Sequence, residues 1–175
     1  MQNYEVKELI PNVEIGERVR EVAKQIDADY KNLDPIIAVV LKGGFVFAAD
    51  LVRSLETPFT LDFLGASSYV GTESSGDIKI TKDLDTPIIG RHLILVEDIV
   101  DTGLTLFKLV KLLKQRDPAS VRIATMLLKD IDRPFDLKVD YYGFEIPNKF
   151  VVGYGLDYNE RHRGLPYIGY VDMEA

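Results

Sequence analysis

The chain has 175 residues, a net charge of −7 and no cysteine. The lack of cysteine excludes disulfides, thiolate metal sites, iron–sulfur clusters and cysteine nucleophiles, and it fits a reducing compartment such as the cytoplasm. The excess of acidic side chains disfavours a nucleic-acid partner. The sequence contains no apolar stretch long enough to span a membrane and no signal-peptide pattern, so we expect neither a membrane partner nor export.

Hydrophobic spacing predicts helices and strands in alternation. Residues 12–30 carry apolar side chains at helical spacing, and residues 35–41 form an apolar run typical of a parallel strand covered on both faces. Further helices are predicted over 47–55 and 103–116, and strands over 59–69, 78–81, 93–96, 121–128, 141–144, 151–152 and 167–171. The alternation predicts an α/β fold, in one domain, with a central and mostly parallel sheet flanked by helices. The small polar residues 70–77 predict a mobile loop.

Three carboxylates, Glu97, Asp98 and Asp101, are found where a buried strand is predicted to end and a helix to begin. Ligands bind at this place in open α/β sheets. Carboxylates this close repel one another, so they stay ionised at low cost only beside a cation, hydroxyl groups or N–H donors. Mg²⁺ and sugar hydroxyls both satisfy that need. The alternative is that Asp101 or Thr102 only caps the helix while the other acids face water.

The residues after the acidic pair suit a phosphate group. Residues 101–105, Asp-Thr-Gly-Leu-Thr, combine two hydroxyls with the free N–H groups of a helix N-terminus. An acidic pair followed by such a segment fits a phosphorylated sugar, with hydroxyls at one end and phosphate at the other. The sequence has neither a P-loop nor a dinucleotide-binding glycine motif, and His92 and His162 are too isolated to predict a zinc site.

Four segments carry a family resemblance. The apolar run, acidic pair and Asp-Thr-Gly-x-Thr of residues 93–105 resemble the phosphoribosyl pyrophosphate signature of type I phosphoribosyltransferases. Residues 41–44, Leu-Lys-Gly-Gly, resemble the pyrophosphate loop of that family. Ser68 and Tyr69, with residues 72–76, resemble its mobile catalytic loop. Residues 143–160 are very similar to the base-binding region of the hypoxanthine-guanine phosphoribosyltransferases.

The resemblance covers residues 5–171 in order, and it implies both a fold and an activity. The fold would be the type I phosphoribosyltransferase fold in a single domain over residues 1–175. A small hood lobe would be formed by N-terminal residues and those after about 145. The activity would be a Mg²⁺-dependent transfer from phosphoribosyl pyrophosphate to hypoxanthine or guanine, in purine salvage. The family also implies a homodimer or homotetramer.

The resemblance implies a role for each matching residue. Asp101 would be the acid/base that faces N7 of the purine. The Mg²⁺ ligands would be Glu97, Asp98 and Asp157, of which the first two also hold the ribose hydroxyls. The 5′-phosphate contacts would be Thr102, Gly103 and Thr105. The diphosphate contacts would be Lys42, Gly43 and Arg163, with a cis peptide between Leu41 and Lys42. The purine contacts would be Lys129 at the 6-oxygen, Phe150 stacked on the ring, Val151 at the 2-position, and Asp157.

Two alternatives remain open at this point. An RNA-binding regulator of the uracil-operon attenuator type, with uracil phosphoribosyltransferase activity, shares the phosphoribosyl signature. The charge of −7 and residues 144–160 oppose it. A related enzyme that prefers xanthine would differ only in its contacts at the 2-position of the base.

Overall fold

The structure, a computed structural model, describes residues 4–68 and 78–172, which form three helices and nine strands. In chain order they are β1 (Glu5–Ile10), α1 (Asn12–Asp29), β2 (Ile36–Leu41), α2 (Phe45–Ser54), β3 (Thr60–Ser68), β4 (Ile78–Lys82), β5 (His92–Val100), α3 (Leu104–Lys114), β6 (Ser120–Lys129), β7 (Tyr141–Ile146), β8 (Val151–Val152) and β9 (Ile168–Asp172). Every predicted helix and strand is found. In the described ranges, no helix is long and apolar enough to cross a membrane.

A six-stranded sheet forms the centre of the molecule, in the order β4-β3-β2-β5-β6-β7. The neighbours from β3 to β7 are parallel, and β4 runs antiparallel along the edge of β3. Alternate side chains of β2 pack on opposite faces, Ile37 and Val39 towards α1 and α2, and Ile36 and Ala38 towards α3. Because helices cover both faces, β2 is apolar throughout and β5 contains the apolar run 93–96. The predicted α/β fold is confirmed.

A second, smaller sheet forms the hood lobe. Its order is β1-β9-β8, and its strands are antiparallel. Glu5 of β1 pairs with Asp172 of β9, so the first and last described strands lie side by side. The hood therefore combines the N-terminal strand with the chain that follows β7.

Strand β5 is longer than predicted, and this changes the position of the acidic pair. The strand continues to Val100 because its pairing with β6 continues, through Glu97 opposite Thr125 to Val100 opposite Leu128. Glu97 and Asp98 therefore lie inside the strand rather than after its end. Of the three predicted acids, Asp101 alone lies at the junction with α3.

Candidate active site

Three segments with predicted roles meet at one edge of the central sheet. Residues 42–44 follow β2, residues 101–103 follow β5, and Lys129 is the last residue of β6. Since β2, β5 and β6 are parallel neighbours, their carboxyl ends lie together, as in ligand sites of open α/β sheets. The sheet order thus brings the predicted diphosphate, sugar and base contacts to one place.

The loop after β2 lies directly against the acidic pair. A Cβ atom on Gly43 would come within 1.7 Å of Oδ2 of Asp98, so a larger residue cannot occupy this position without moving the carboxylate. The predicted cis peptide between Leu41 and Lys42 is present. The predicted diphosphate loop and the predicted sugar-binding acid are therefore in contact.

The environment of the acidic pair opposes negative charge. Burial raises the pKa of Glu97 well above its ordinary value, and the neighbouring charge of Asp98 raises it further. Burial also raises the pKa of Asp98, although Oδ1 accepts a 2.8 Å hydrogen bond from the backbone N–H of Ile99. A cation at this place would offset the cost of ionising both carboxyls. The residues present therefore fit a hard cation held by oxygen ligands.

The described residues do not by themselves form a complete metal site at this edge. Within residues 4–68 and 78–172, no three His, Asp or Glu side chains come together in a way that could hold a metal ion. Mg²⁺ is commonly bound by one or two carboxylates plus substrate phosphates. A Mg²⁺ ion at Glu97 and Asp98 would therefore need oxygen atoms from the substrate.

The predicted acid/base and the predicted base-reading lysine form an ion pair. Nζ of Lys129 donates to Oδ2 of Asp101 at 2.9 Å and to Oδ1 of Asn148 at 3.2 Å. Lys129 is only 7% exposed, whereas the Asp101 side chain is 54% exposed. An ammonium group has three N–H donors, so one remains for a ligand. Asn148 has no distinguishing motif of its own, and sequence reasoning assigned it no role.

Helix α3 begins directly behind the predicted phosphate contacts. Its N-cap is Gly103, at φ 75°, and no side chain caps the helix. Thr102 and Leu104 are exposed, and Thr105 is partly exposed. Neither Asp101 nor Thr102 is the N-cap residue, and the hydroxyl of Thr102 accepts only a long, 3.5 Å hydrogen bond from the N–H of Leu104. The uncapped N-terminus leaves N–H donors and two hydroxyls for an anion.

The hood brings Arg163 and Asp157 together near Lys42. Nη2 of Arg163 lies 2.8 Å from Oδ1 of Asp157, and Nη1 donates to the carbonyl oxygen of Gly155 at 2.8 Å. Glu160 joins this group, with its carboxylate oxygens 3.2 Å from Nζ of Lys42 and 3.3 Å from Nη2 of Arg163. Hydrogen bonds from Lys42 and then Arg163 lower the pKa of Glu160. Sequence reasoning placed Glu160 at the end of the base-binding region but assigned it no role.

Two of the predicted purine contacts, Phe150 and Val151, lie on and beside strand β8. Val151 is buried in β8, opposite Tyr170 of β9, and Phe150 just before it is 53% exposed. The Phe150 ring lies edge-on to Tyr158, with 5.4 Å between ring centres. An exposed aromatic ring held by an aromatic neighbour is suited to stacking on a flat base.

Comparison with known proteins places this geometry in a family. Residues 5–159 match the phosphoribosyl transferase domain family.

The chain belongs to the phosphoribosyltransferase family.

Similar phosphoribosyltransferases from bacteria cover nearly the whole chain. A hypoxanthine-guanine phosphoribosyltransferase of Bacillus subtilis (strain 168) is 48% identical over 164 residues, which are 93% of this chain and 91% of the relative. One from Streptococcus pneumoniae (strain R6) is 46% identical over 176 residues, covering 100% and 98% of the two chains. The crystal structure of a hypoxanthine-guanine phosphoribosyltransferase from Bacillus anthracis has a TM-score of 0.90 and 43% identity, with coverage of 97% and 99%. The resemblance to this branch is confirmed.

One predicted segment of the phosphoribosyltransferase site cannot be compared with the structure. Ser68 is the last residue of β3. Tyr69 and residues 70–77, predicted as the rest of the mobile loop, lie outside the described residues.

The connection between β6 and β7 is a part of the site that sequence reasoning missed. It crosses the start of α3, where Phe135 stacks on Phe107 with 4.6 Å between ring centres. A Cβ atom on Gly103 would lie 2.6 Å from Cδ2 of Leu137. Arg133 in the same connection bonds to backbone carbonyls of β5 and β6. Its bonds to Val100 and Asp101 span 33 and 32 residues of the chain, so no local pattern indicated them.

Proposed function

We propose that this phosphoribosyltransferase acts in purine salvage, transferring the phosphoribosyl group of phosphoribosyl pyrophosphate to hypoxanthine or guanine. The products are IMP or GMP and diphosphate. The observation that carries the proposal is the pair formed by Lys129 and Asp101, a base-reading ammonium next to a proton acceptor and beside the uncapped start of α3. The names and extent of the similar bacterial proteins support the same substrates.

The transfer joins a purine nitrogen to C1 of the ribose while the bond from C1 to the diphosphate oxygen breaks. Diphosphate leaves with the bonding electron pair, and the proton displaced from the base passes to the Asp101 carboxylate. A positioned acceptor of this kind typically contributes about 10²–10⁴-fold to the rate. Lys42 and Arg163 offset the charge that develops on the departing oxygens. Thr102, Gly103 and Thr105 hold the 5′-phosphate, since they border the uncapped end of α3.

Lys129 selects 6-oxopurines because its ammonium group only donates hydrogen bonds. A 6-oxo group accepts such a bond, whereas the 6-amino group of adenine presents another donor. A mispaired buried polar contact can discriminate by about 10⁴-fold. Phe150 stacks on the base, and the backbone of Val151 contacts its 2-position.

The cofactor in this proposal is Mg²⁺, held by Glu97 and Asp98 together with substrate oxygens. The raised pKa of each carboxyl and the contact of Asp98 with the Gly43 loop support this assignment. When bound, the cation neutralises phosphate oxygens of the leaving group. Asp157 is the proposed ligand of a second Mg²⁺. One of its oxygens is ion-paired with Arg163 and the other accepts a hydrogen bond from the N–H of Glu160, so that ion would use their remaining lone pairs.

Nucleotide synthesis tests the proposal directly. The protein is incubated with Mg²⁺, phosphoribosyl pyrophosphate and one of hypoxanthine, guanine, xanthine, adenine or uracil, and the product is identified by chromatography. We expect IMP and GMP, and none when EDTA removes the metal. Fastest turnover of xanthine would identify the xanthine-preferring alternative. If nucleotide forms from uracil but not from hypoxanthine, the proposal is overturned in favour of the RNA-binding regulator of the uracil-operon attenuator type.

Assembly as a homodimer or homotetramer, a cytoplasmic location and a single domain over residues 1–175 complete the proposal. An exposed apolar patch on α2 and β3 supports self-association. Phe45, Leu61 and Phe63 are 47%, 42% and 37% exposed, and they line a groove of about 390 Å³. Sedimentation of the Phe63→Lys variant should show a smaller particle than the wild type. A monomeric wild type would contradict the assembly.

A further inference from the structure

Arg133 bonds to the ends of two strands at once. Nη2 donates to the carbonyl oxygens of Asp101 at 2.8 Å, Lys129 at 2.9 Å and Val100 at 3.2 Å. Nε donates to the same oxygen of Asp101 at 3.2 Å, and Nη1 donates to the carbonyl oxygen of Ile131 at 3.4 Å. One guanidinium group therefore connects the chain after β5 with the last residue of β6.

The bonds of Arg133 lie where the sheet no longer holds these two segments together. The last paired residues of β5 and β6 are Val100 and Leu128. Asp101 and Lys129 follow immediately, so their backbones are joined by the guanidinium group instead of by strand pairing. A guanidinium group presents five donors in a planar fork and stays charged, whereas an ammonium group is a single compact charge.

The two residues joined in this way are those whose side chains have to face one base. Asp101 and Lys129 are in contact at 2.9 Å. A displacement of about 1 Å in a catalytic arrangement can cost on the order of 10²-fold in rate. Arg133 also lies beside the phosphate contacts, since a Cβ atom on Gly103 would be 3.7 Å from its Nε atom.

We infer that Arg133 is a positioning residue for the phosphoribosyl transfer, one that fixes the proton-accepting carboxylate of Asp101 relative to the base-binding ammonium of Lys129. The inference rests on the proposed roles of those two residues. Arg133 acts through the backbone and does not itself contact the reacting atoms.

Replacement and chemical rescue of the guanidinium group test this inference. Arg133→Ala should lower kcat by about 10²-fold, with a smaller change in the KM for phosphoribosyl pyrophosphate. Arg133→Lys should stay at least about tenfold below the wild type, because an ammonium group cannot reproduce the fork. Guanidinium chloride should restore part of the kcat of Arg133→Ala, and ammonium chloride at the same concentration should not. Arg20→Ala, an exposed arginine of α1, is the control.

Three results would overturn the inference. Arg133→Lys could retain the wild-type kcat, ammonium could restore activity as well as guanidinium does, or the loss in Arg133→Ala could equal its loss of folded protein. Hydrogen exchange gives a readout without turnover. Amides of residues 99–103 should exchange faster in Arg133→Ala but not in Arg20→Ala, and unchanged exchange would also count against the inference. If the wild type makes no nucleotide, the proposed function is refuted instead. Hydrogen exchange of residues 99–103 would still test whether Arg133 holds this segment in place.

Discussion

At the scale of single residues, the carboxylate of Asp101 is both paired and accessible. Its carboxylate is paired with Lys129, yet its side chain is more than half exposed and can reach a ligand. Burial raises the pKa of Glu97 and that of Asp98, in the strand behind it. The exposed carboxylate of Asp101 is therefore the one proposed to accept the proton of the base, and the other two are proposed to hold a cation.

Asp101→Asn should lower kcat by about 10²–10⁴-fold, because the amide cannot accept the base proton. Its oxygen can still accept the hydrogen bond from Lys129, so the binding of GMP should change little. Steady-state kinetics and equilibrium titration with GMP measure the two effects. Asp130→Asn, at an exposed neighbouring carboxylate, should leave both unchanged. Full turnover of Asp101→Asn would remove the acid/base assignment.

Lys129→Gln should reduce the preference for hypoxanthine over adenine by at least about tenfold. Glutamine is neutral and offers both donors and an acceptor, so either 6-substituent can be paired. The measured quantity is the ratio of kcat/KM for hypoxanthine to kcat/KM for adenine. Loss of the ion pair with Asp101 lowers both values, so its effect cancels in the ratio. Lys31→Gln, on the exposed surface, is the matched control. An unchanged ratio would show that another group reads position 6.

At the scale of elements, the start of α3 is shaped by the connection from β6 to β7. Gly103 has φ 75°, and Leu137 occupies the space where its Cβ atom would lie. Gly90 has a similar φ of 67° with nothing within 4 Å of its Cβ position. Substitution of Gly90 therefore measures the cost of a left-handed backbone alone, whereas substitution of Gly103 adds the cost of a steric clash with Leu137.

Gly103→Ala should destabilise the protein more than Gly90→Ala, for which the backbone term alone costs about 1–2 kcal/mol. It should also raise the KM for phosphoribosyl pyrophosphate, because the phosphate contacts shift with α3. Urea denaturation and steady-state kinetics provide the measurements. Adding Leu137→Ala should recover the excess loss in Gly103→Ala. If the two glycine substitutions reduce the free energy of unfolding equally, the Leu137 side chain moves aside at no cost in stability.

Glu160 forms ion pairs with both Lys42 and Arg163, the two cationic side chains that are proposed to bind diphosphate. Glu160→Gln removes the competing charge, so Lys42 and Arg163 should bind diphosphate a few-fold more tightly. The gain is small because exposed ion pairs are weak. Titration calorimetry with magnesium diphosphate measures it, with Glu17→Gln on the exposed surface of α1 as the control. Weaker binding by Glu160→Gln would show that the carboxylate supports the site rather than competing for it.

For the whole molecule, a buried carboxylate links β3 to the chain before β5. Asp62 is 4% exposed and accepts hydrogen bonds of 2.7 Å from the backbone N–H groups of Thr86 and Phe63. Burial alone would raise its pKa, but these bonds, with Nζ of Lys82 at 3.9 Å, lower the pKa below its ordinary value. Asp62 therefore adds stability above the pKa of the unfolded chain, about 3.9, and this stability is lost as the pH falls through the lower folded pKa.

Asp62→Asn should reduce the free energy of unfolding at pH 7 by about 1–3 kcal/mol, the cost of a buried group left without full partners. The difference from the wild type should shrink below about pH 4, because the unfolded wild-type chain then binds a proton at Asp62 that the folded protein, with its lower pKa, binds only at still lower pH. Urea denaturation of both proteins at pH 7 and pH 3 measures this difference. A difference that is constant with pH would show that the charge of Asp62 does not contribute.

The order of helices and strands after β1, the buried strands and the phosphoribosyl signature were determined by the sequence alone, because periodicity and contiguous motifs are local properties. Strand β1 was not predicted and is held by its pairing with β9. The extension of β5 to Val100 was decided by its pairing with β6. The pairing of Asp101 with Lys129, the bonds of Arg133 to Val100 and Asp101, and the contact of Glu160 with Lys42 depend on strand register and on the position of the hood. These contacts join residues far apart in the chain, so only the tertiary structure could decide them.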